Sequence, residues 1–138
     1  MLNSHARAFD TRLEHRAAGS AALTANTTID THTQRAKTRT EYVTMLRVES
    51  IKISASNEEY RFVVEVSNDG FSTVETAAIL SLGATAARLG GGPDNAAGDE
   101  YQVPWFTEVN GQSYKDWRVR LEVAGTAPSI GFSMNSAC

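Results

Sequence analysis

Cysteine is nearly absent from this chain of 138 residues: only Cys138 occurs. One thiol can form neither an intrachain disulfide nor a thiolate zinc cluster, so stability has to come from packing or assembly. No apolar run approaches the ~20 residues that cross a bilayer as a helix. The opening "MLNSHARAFDTRLEHRAAGSAALTA" ends in small residues, as a secretory leader would. It lacks an apolar centre, and Asp10 and Glu14 fall where one should lie, so a cleaved leader is not expected.

Histidine is also missing from residue 33 onward, since all three, His5, His15 and His32, come earlier. An acid–base histidine needs a rigid pocket, and the first forty residues do not read as one. The three are therefore expected to be surface or interface residues. There is no G-x-S-x-G elbow, no H-E-x-x-H, and no Ser/His/Asp set that the rest of the chain could assemble. The glycine run at 90–92 leads into Pro93 and Asp94 instead of Gly-Lys-Ser/Thr, which is not a phosphate loop. Asp94, Asn95, Asp99 and Glu100 offer oxygens, but their spacing fails the EF-hand pattern. Glu65 and Glu122 share strands with arginines, so cross-strand ion pairing explains them better than glycoside hydrolysis. No catalytic residue, metal ligand or cofactor is expected.

What the chain does have is enough apolar material for one core. Hydrophobic residues make up 41% and charged ones 21%, near the globular average. Charge is unevenly placed. Residues 1–40 carry six basic groups against three acidic ones, a net of +3, while 41–138 carry seven against thirteen, a net of −6. A basic leading segment on an acidic body is drawn to acidic surface, its own or a neighbour's. The acidic body disfavours nucleic acid as a direct partner.

Two regions follow, an N-terminal arm at 1–41 and a β domain at 42–138. Within the arm, Ser4 to Ala18 fits a short amphipathic helix, with Ser4 as N-cap, Ala6, Phe9 and Leu13 on one face and Gly19 as the stop. That thin face would need a partner surface. Beyond it an extended stretch carries one strand near residues 22–29. From Tyr42 the period becomes two. Leu46 and Val48 take one phase and Ile51 and Ile53 the other, which predicts a bulge near Glu49–Ser50. "EYRFVVEVS" places Tyr60, Phe62, Val64 and Val66 on one face. "SNDGF" is a turn, and "TVETAAILSLG" is a strand with Ala77, Ile79 and Leu82 as core residues. "YQVPWFTEV" and "SYKDWRVRLEV" flank Asn110-Gly111, a hairpin signal, and Pro104 puts the former at a sheet edge. Trp117, Val119, Leu121 and Val123 should point inward, with Arg118, Arg120 and Glu122 outward. "PSIGFSM" is the last strand. The chain therefore reads as all-β, an antiparallel sandwich or jelly roll of seven or eight strands with an extended arm.

The stretches "YRFVVEVSNDGFST", "YQVPWFTEVNGQSY" and "YKDWRVRLEVAGTAPSIGF" resemble, in order and spacing, the small capsid cement or decoration proteins of tailed bacteriophages. The resemblance covers about residues 42–134, and the arm has no counterpart in it. It implies a β-sandwich on the outer surface of the virion that bridges adjacent major capsid protein subunits without enzymatic activity. Implied partners are the major capsid protein and further copies of this chain, as dimer or trimer, with no membrane. The contact residues would be Arg7, Phe9, Arg12, Leu13, Arg16, Arg35, Lys37 and Arg39 in the arm, with Arg118 and Arg120 on the body. Another virion component, from tail, collar or fibre, stays open, as does a carbohydrate-binding sandwich, for which Trp105 is the residue to test.

Overall fold

The computed structural model describes residues 13–33, 40–89 and 91–137. They form ten strands: β1 (Glu14–Arg16), β2 (Thr27–His32), β3 (Glu41–Ile51), β4 (Glu59–Ser67), β5 (Glu75–Gly83), β6 (Glu100–Phe106), β7 (Glu108–Val109), β8 (Gln112–Ser113), β9 (Asp116–Ala124) and β10 (Ile130–Ala137). Two four-stranded antiparallel sheets run in the orders β1-β10-β3-β6 and β2-β9-β4-β5, and β7-β8 is a separate hairpin. No helix among the described residues is long and apolar enough to cross a membrane.

Period-two patterning explains why the two sheets stack. In β4, Tyr60, Phe62, Val64 and Val66 are all buried, and in β9 so are Trp117, Val119 and Leu121. They face Leu46 and Val48 of β3, Trp105 of β6, and Ile130, Phe132 and Met134 of β10, in one hydrophobic cluster. Phe62 and Phe132 meet edge-on across the gap, with centroids 4.9 Å apart, a geometry that aligns a ring's positive edge with its neighbour's negative face.

Local signals in the sequence are realised at several points. Gly131 pairs with Ser50 and Phe132 with Val48, so Glu49 is the extra residue of a bulge in β3. Asn110 and Gly111 have φ of 52° and 80°, as a two-residue hairpin turn of the I′ type requires. Pro104 lies in β6, an edge strand, where its missing N–H costs no ladder bond.

Elsewhere the structure departs from expectation. Pairing with Tyr60 places Leu82 in the core, as expected, but pairing with Phe62 turns Leu80, and not Ile79, toward it. Ile79 lies opposite Val63 on the outer face and is 48% exposed. Ala77 packs against the core as expected, although it is the unpaired residue of a second bulge, between the Val64–Ala78 and Glu65–Thr76 pairs. The phase was misread because "AAILSL" is apolar at both phases, so alternation carries no information there. The helix expected over Ser4–Ala18 is not formed in its described half, because Glu14–Arg16 pair with β10 instead. Its first residues lie outside those described. The stretch 13–32, read as part of an arm, supplies an edge strand to each sheet, and its strand lies at Thr27–His32 instead of near 22–29.

Close backbone approach explains one glycine in particular. Gly83 has φ 132°, and a Cβ there would lie 2.3 Å from the carbonyl oxygen of Glu58. Gly70, at φ 69°, has open space around it. Gly83→Ala should therefore lower stability by about 2–5 kcal/mol, through strain plus collision. Gly70→Ala should cost only about 1 kcal/mol, for the left-handed backbone alone. Urea denaturation of the two variants against the parent checks the difference.

Candidate functional site

A cluster of two histidines and a carboxylate lies where the edge strands β1 and β2 come together, and two irregularities put it there. In β1, Glu14 pairs with Asn135 and Arg16 with Met134, leaving His15 as the extra residue. In β2, Thr28 pairs with Arg120 and Asp30 with Val119, leaving Ile29 extra. Without that extra residue the alternation would turn Asp30 outward. With it, Asp30 and His32 fall on the inner row, opposite Val119 and Trp117.

The three side chains converge. Asp30 Oδ2 lies 2.9 Å from His15 Nδ1 and 3.0 Å from His32 Nε2, and the two ring nitrogens are 3.3 Å apart. Asp30 Oδ1 accepts the Thr31 backbone N–H at 2.9 Å. His32 stacks on Trp117 with centroids 4.3 Å apart, and His15 meets the same indole edge-on at 5.3 Å. On its other side His15 Nε2 lies 2.7 Å from Ser136 Oγ, which is 2.8 Å from Thr44 Oγ1. Thr44 Oγ1 accepts the Trp105 indole N–H at 2.8 Å.

Only the Trp105 end of this chain has a fixed direction: its indole N–H donates to Thr44, while either hydroxyl can be the donor between Thr44 and Ser136, and the tautomer of His15 sets the roles at Nε2 and Nδ1. Burial pushes the His15 pKa below its ordinary value, against a partial upward pull from the hydrogen bond and charge of Asp30.

Asp30, His15 and Ser136 thus stand in the order of a hydrolytic triad, a set not expected from the sequence. Ser136 is 1% exposed and its hydroxyl is engaged by both His15 and Thr44. No carbonyl substrate can approach it in this arrangement. The network positions groups; it does not present a nucleophile.

His15 and His32 are buried, at 8% and 6% exposure, which corrects the expectation of surface histidines. His5 lies outside the described residues. The missed signal was "IDTH", which places a carboxylate and an imidazole two apart on a strand and hence on one face. Nothing local marks His15, which reaches the cluster through a bulge in a three-residue strand.

Of the contact residues inferred from the sequence, the four that are described do not form one patch. Arg118 Nε bonds Glu65 at 2.8 Å and its guanidinium lies over the Phe71 ring at 4.5 Å. Arg120 sits between Glu65, at 3.6 Å, and Glu122, at 3.8 Å. These form one ion-paired row on the outer face of the β2-β9-β4-β5 sheet. Leu13 is buried in the core. Arg16 lies over Phe132 at 4.9 Å and donates to the Ala21 carbonyl. Arg7, Phe9, Arg12, Arg35, Lys37 and Arg39 lie outside the described residues.

Other candidates are occupied internally. Asp94 accepts from the Thr85 N–H and hydroxyl, and Asp99 accepts from the Ala96 N–H and the Asn95 amide. These donors hold both carboxyls below their ordinary pKa. Trp105 is 2% exposed and Trp117 fully buried, so neither offers a face to a sugar. Two open grooves of about 430 and 480 Å³ lie along the outer face of β3, and neither contains a histidine, cysteine or aspartate among its lining residues.

Two outcomes test the polar chain. Thr44→Val keeps shape but strands the Trp105 N–H and breaks the link to Ser136, and should cost about 1–3 kcal/mol in urea denaturation. Because the folded pKa of His15 is depressed, the unfolded chain takes up a proton that the native protein refuses as pH falls below about 6.5. Stability should therefore be full above that pH and decline below it, so the melting temperature drops between pH 7.5 and pH 5.5. His15→Gln should flatten that decline. No protein-family model, curated protein or solved structure matches this chain, so its function is argued from the geometry.

Proposed function

We propose that the chain is a non-enzymatic structural protein of a virion, a cement or decoration protein that binds the outside of the shell and holds neighbouring major capsid subunits together. The observation that carries this reading is the partition of chemistry between inside and outside. Ser136, His15 and His32 are buried, with Asp30 part-exposed beside them, and the surface presents a strand face with a row of paired charges at Glu65, Arg118, Arg120 and Glu122. Such a face suits rigid docking against another protein, where charge pairing sets register more than affinity. Supporting it further, the strand orders β1-β10-β3-β6 and β2-β9-β4-β5 are those expected of an eight-stranded jelly roll, an arrangement common in viral shell domains. Repetition around a symmetric shell lets a modest interface act many times over.

The same strand order, with the basic leading segment, favours one second reading. In it the chain is itself the shell subunit, and the residues ahead of β1 face nucleic acid.

The fold alters how attachment is tested. Removing residues 1–40 would strip an edge strand from each sheet and Leu13 from the core, so the informative truncation is residues 1–12. The full chain should bind saturably to preformed phage heads lacking a cement protein and raise their resistance to heat. Arg120→Gln with Glu122→Gln, which leaves Arg118 paired to Glu65, or deletion of residues 1–12, should weaken binding at least tenfold while circular dichroism stays native. Cosedimentation measures the binding. A full chain that ignores such heads and assembles alone into closed particles containing nucleic acid would replace the cement reading with the second one.

A further inference from the structure

We propose that His15 Nδ1, Asp30 Oδ2 and His32 Nε2 are the protein ligands of a zinc-type divalent ion, with water completing its coordination, and that this ion staples β1 to β2. The three atoms are the only such grouping of histidine, cysteine and carboxylate ligands among the described residues. Their separations of 2.9, 3.0 and 3.3 Å suit one shared ion. An ion about 2.0–2.1 Å from each atom, the usual range for zinc with nitrogen or carboxylate oxygen, sits about 1 Å out of their plane. Two imidazoles with one carboxylate is a donor set for zinc and its first-row neighbours, in contrast to the all-oxygen sets of calcium and magnesium.

The surroundings are those of a held ligand set. Ser136 fixes the far nitrogen of His15, and the Thr31 N–H fixes the second oxygen of Asp30, the kind of outer contact that orients metal ligands. With an ion on Nδ1, the ring proton is carried on Nε2, which donates to the Ser136 hydroxyl oxygen. The Trp117 ring walls one side, and its buried indole N–H has no partner among the described residues. The His15 side chain is fully buried and that of His32 is 6% exposed, while the Asp30 side chain is 30% exposed. Solvent and a bound water therefore reach the ion from the carboxylate side.

An ion also answers a need of the fold. β1 has three residues, and β2 is only half-buried, with Thr28 and Thr31 exposed. The apolar anchors of this stretch are Leu13 in the core and Leu23 and Ile29 packed against it. A link from residue 15 to residues 30 and 32 closes a loop between the two short strands, so ion binding becomes folding free energy for them.

The test uses the full chain, dialysed against a chelator at neutral pH and titrated separately with zinc chloride, cobalt chloride and magnesium chloride. Zinc and cobalt should each bind at one ion per chain and raise the melting temperature by several degrees, and magnesium should do neither. Bound cobalt should show visible ligand-field bands and quench tryptophan fluorescence, because Trp117 stacks on His32. Asp30→Asn and His32→Asn should each weaken zinc binding at least a hundredfold, while His5→Ala and Cys138→Ser bind as the parent does. Circular dichroism of the stripped variants separates lost ligands from lost folding. Should either variant fail to fold, the parent's cobalt spectrum decides, since a thiolate charge-transfer band would place the ion on Cys138. That band, absence of stoichiometric binding, or unchanged affinity in folded Asp30→Asn and His32→Asn overturns the proposal.

Discussion

The indole of Trp117 is the contact on which the rest of the molecule is assembled. Projecting from β9 across the gap between the sheets, it meets Tyr42 of β3 and Trp105 of β6, with centroids 5.1 and 4.9 Å away, as well as His15 of β1 and His32 of β2. Strands from both sheets thus converge on one fully buried side chain. A ring of this size excludes water from its surroundings, and exclusion of water makes each polar contact beside it matter. In a wet cleft the Asp30–His15–Ser136–Thr44–Trp105 chain would exchange with solvent at little cost. Against an indole wall, any member left unpaired would lose its hydration without compensation.

That constraint explains why a polar network tolerates burial here. Each end is fixed by a group with a single role: the Trp105 N–H, which can only donate, and the Asp30 carboxylate, whose second oxygen is already taken by Thr31. The hydroxyls between them can turn either way, so the network accommodates a proton on either nitrogen of His15 without moving a heavy atom. The neutral imidazole is favoured by burial, and the carboxylate opposes that only in part. The same adaptability lets a cation replace a proton at this place.

Much of the fold was legible because its signals are local and periodic. The buried row of β4, the bulge at Glu49, the Asn110-Gly111 hairpin and the edge position of Pro104 each depend on a few adjacent residues and the two-residue repeat. What was not legible depends on register between distant segments. "AAILSL" is apolar at both phases, so only its pairing with β4 reveals that Leu80 faces in and Ile79 faces out. The cluster at the strand edge was hidden for the same reason. Asp30 and His32 announce a shared face, but that this face is interior depends on the extra residue Ile29 in the pairing with β9. Bringing His15 to them takes a ladder with β10, more than a hundred residues away. Their position in an apparently unstructured, polar leading segment pointed away from burial.

The two sides of the body divide labour in a way that energetics clarifies. Along this row the Arg118 and Arg120 side chains are 24% and 28% exposed, while the Glu65 side chain they share is 11% exposed, so together they compensate a mostly buried carboxylate. Only the Arg120–Glu122 pair, with Glu122 at 42%, is of the exposed kind that contributes about 0–1 kcal/mol, and it is the one a partner surface could recruit at little cost to the fold. The edge formed by β1 and β2 is the reverse case. The leading residues enter the body through Leu13 and β1, so any pull on them by a neighbouring molecule is borne first by a three-residue strand. Leu13 in the core, Arg16 over Phe132, and His15 locked between Asp30 and Ser136 are the contacts that resist it. These three anchored side chains lie within one short strand and its flank, and together they tie the edge of one sheet to the core and to the neighbouring strands.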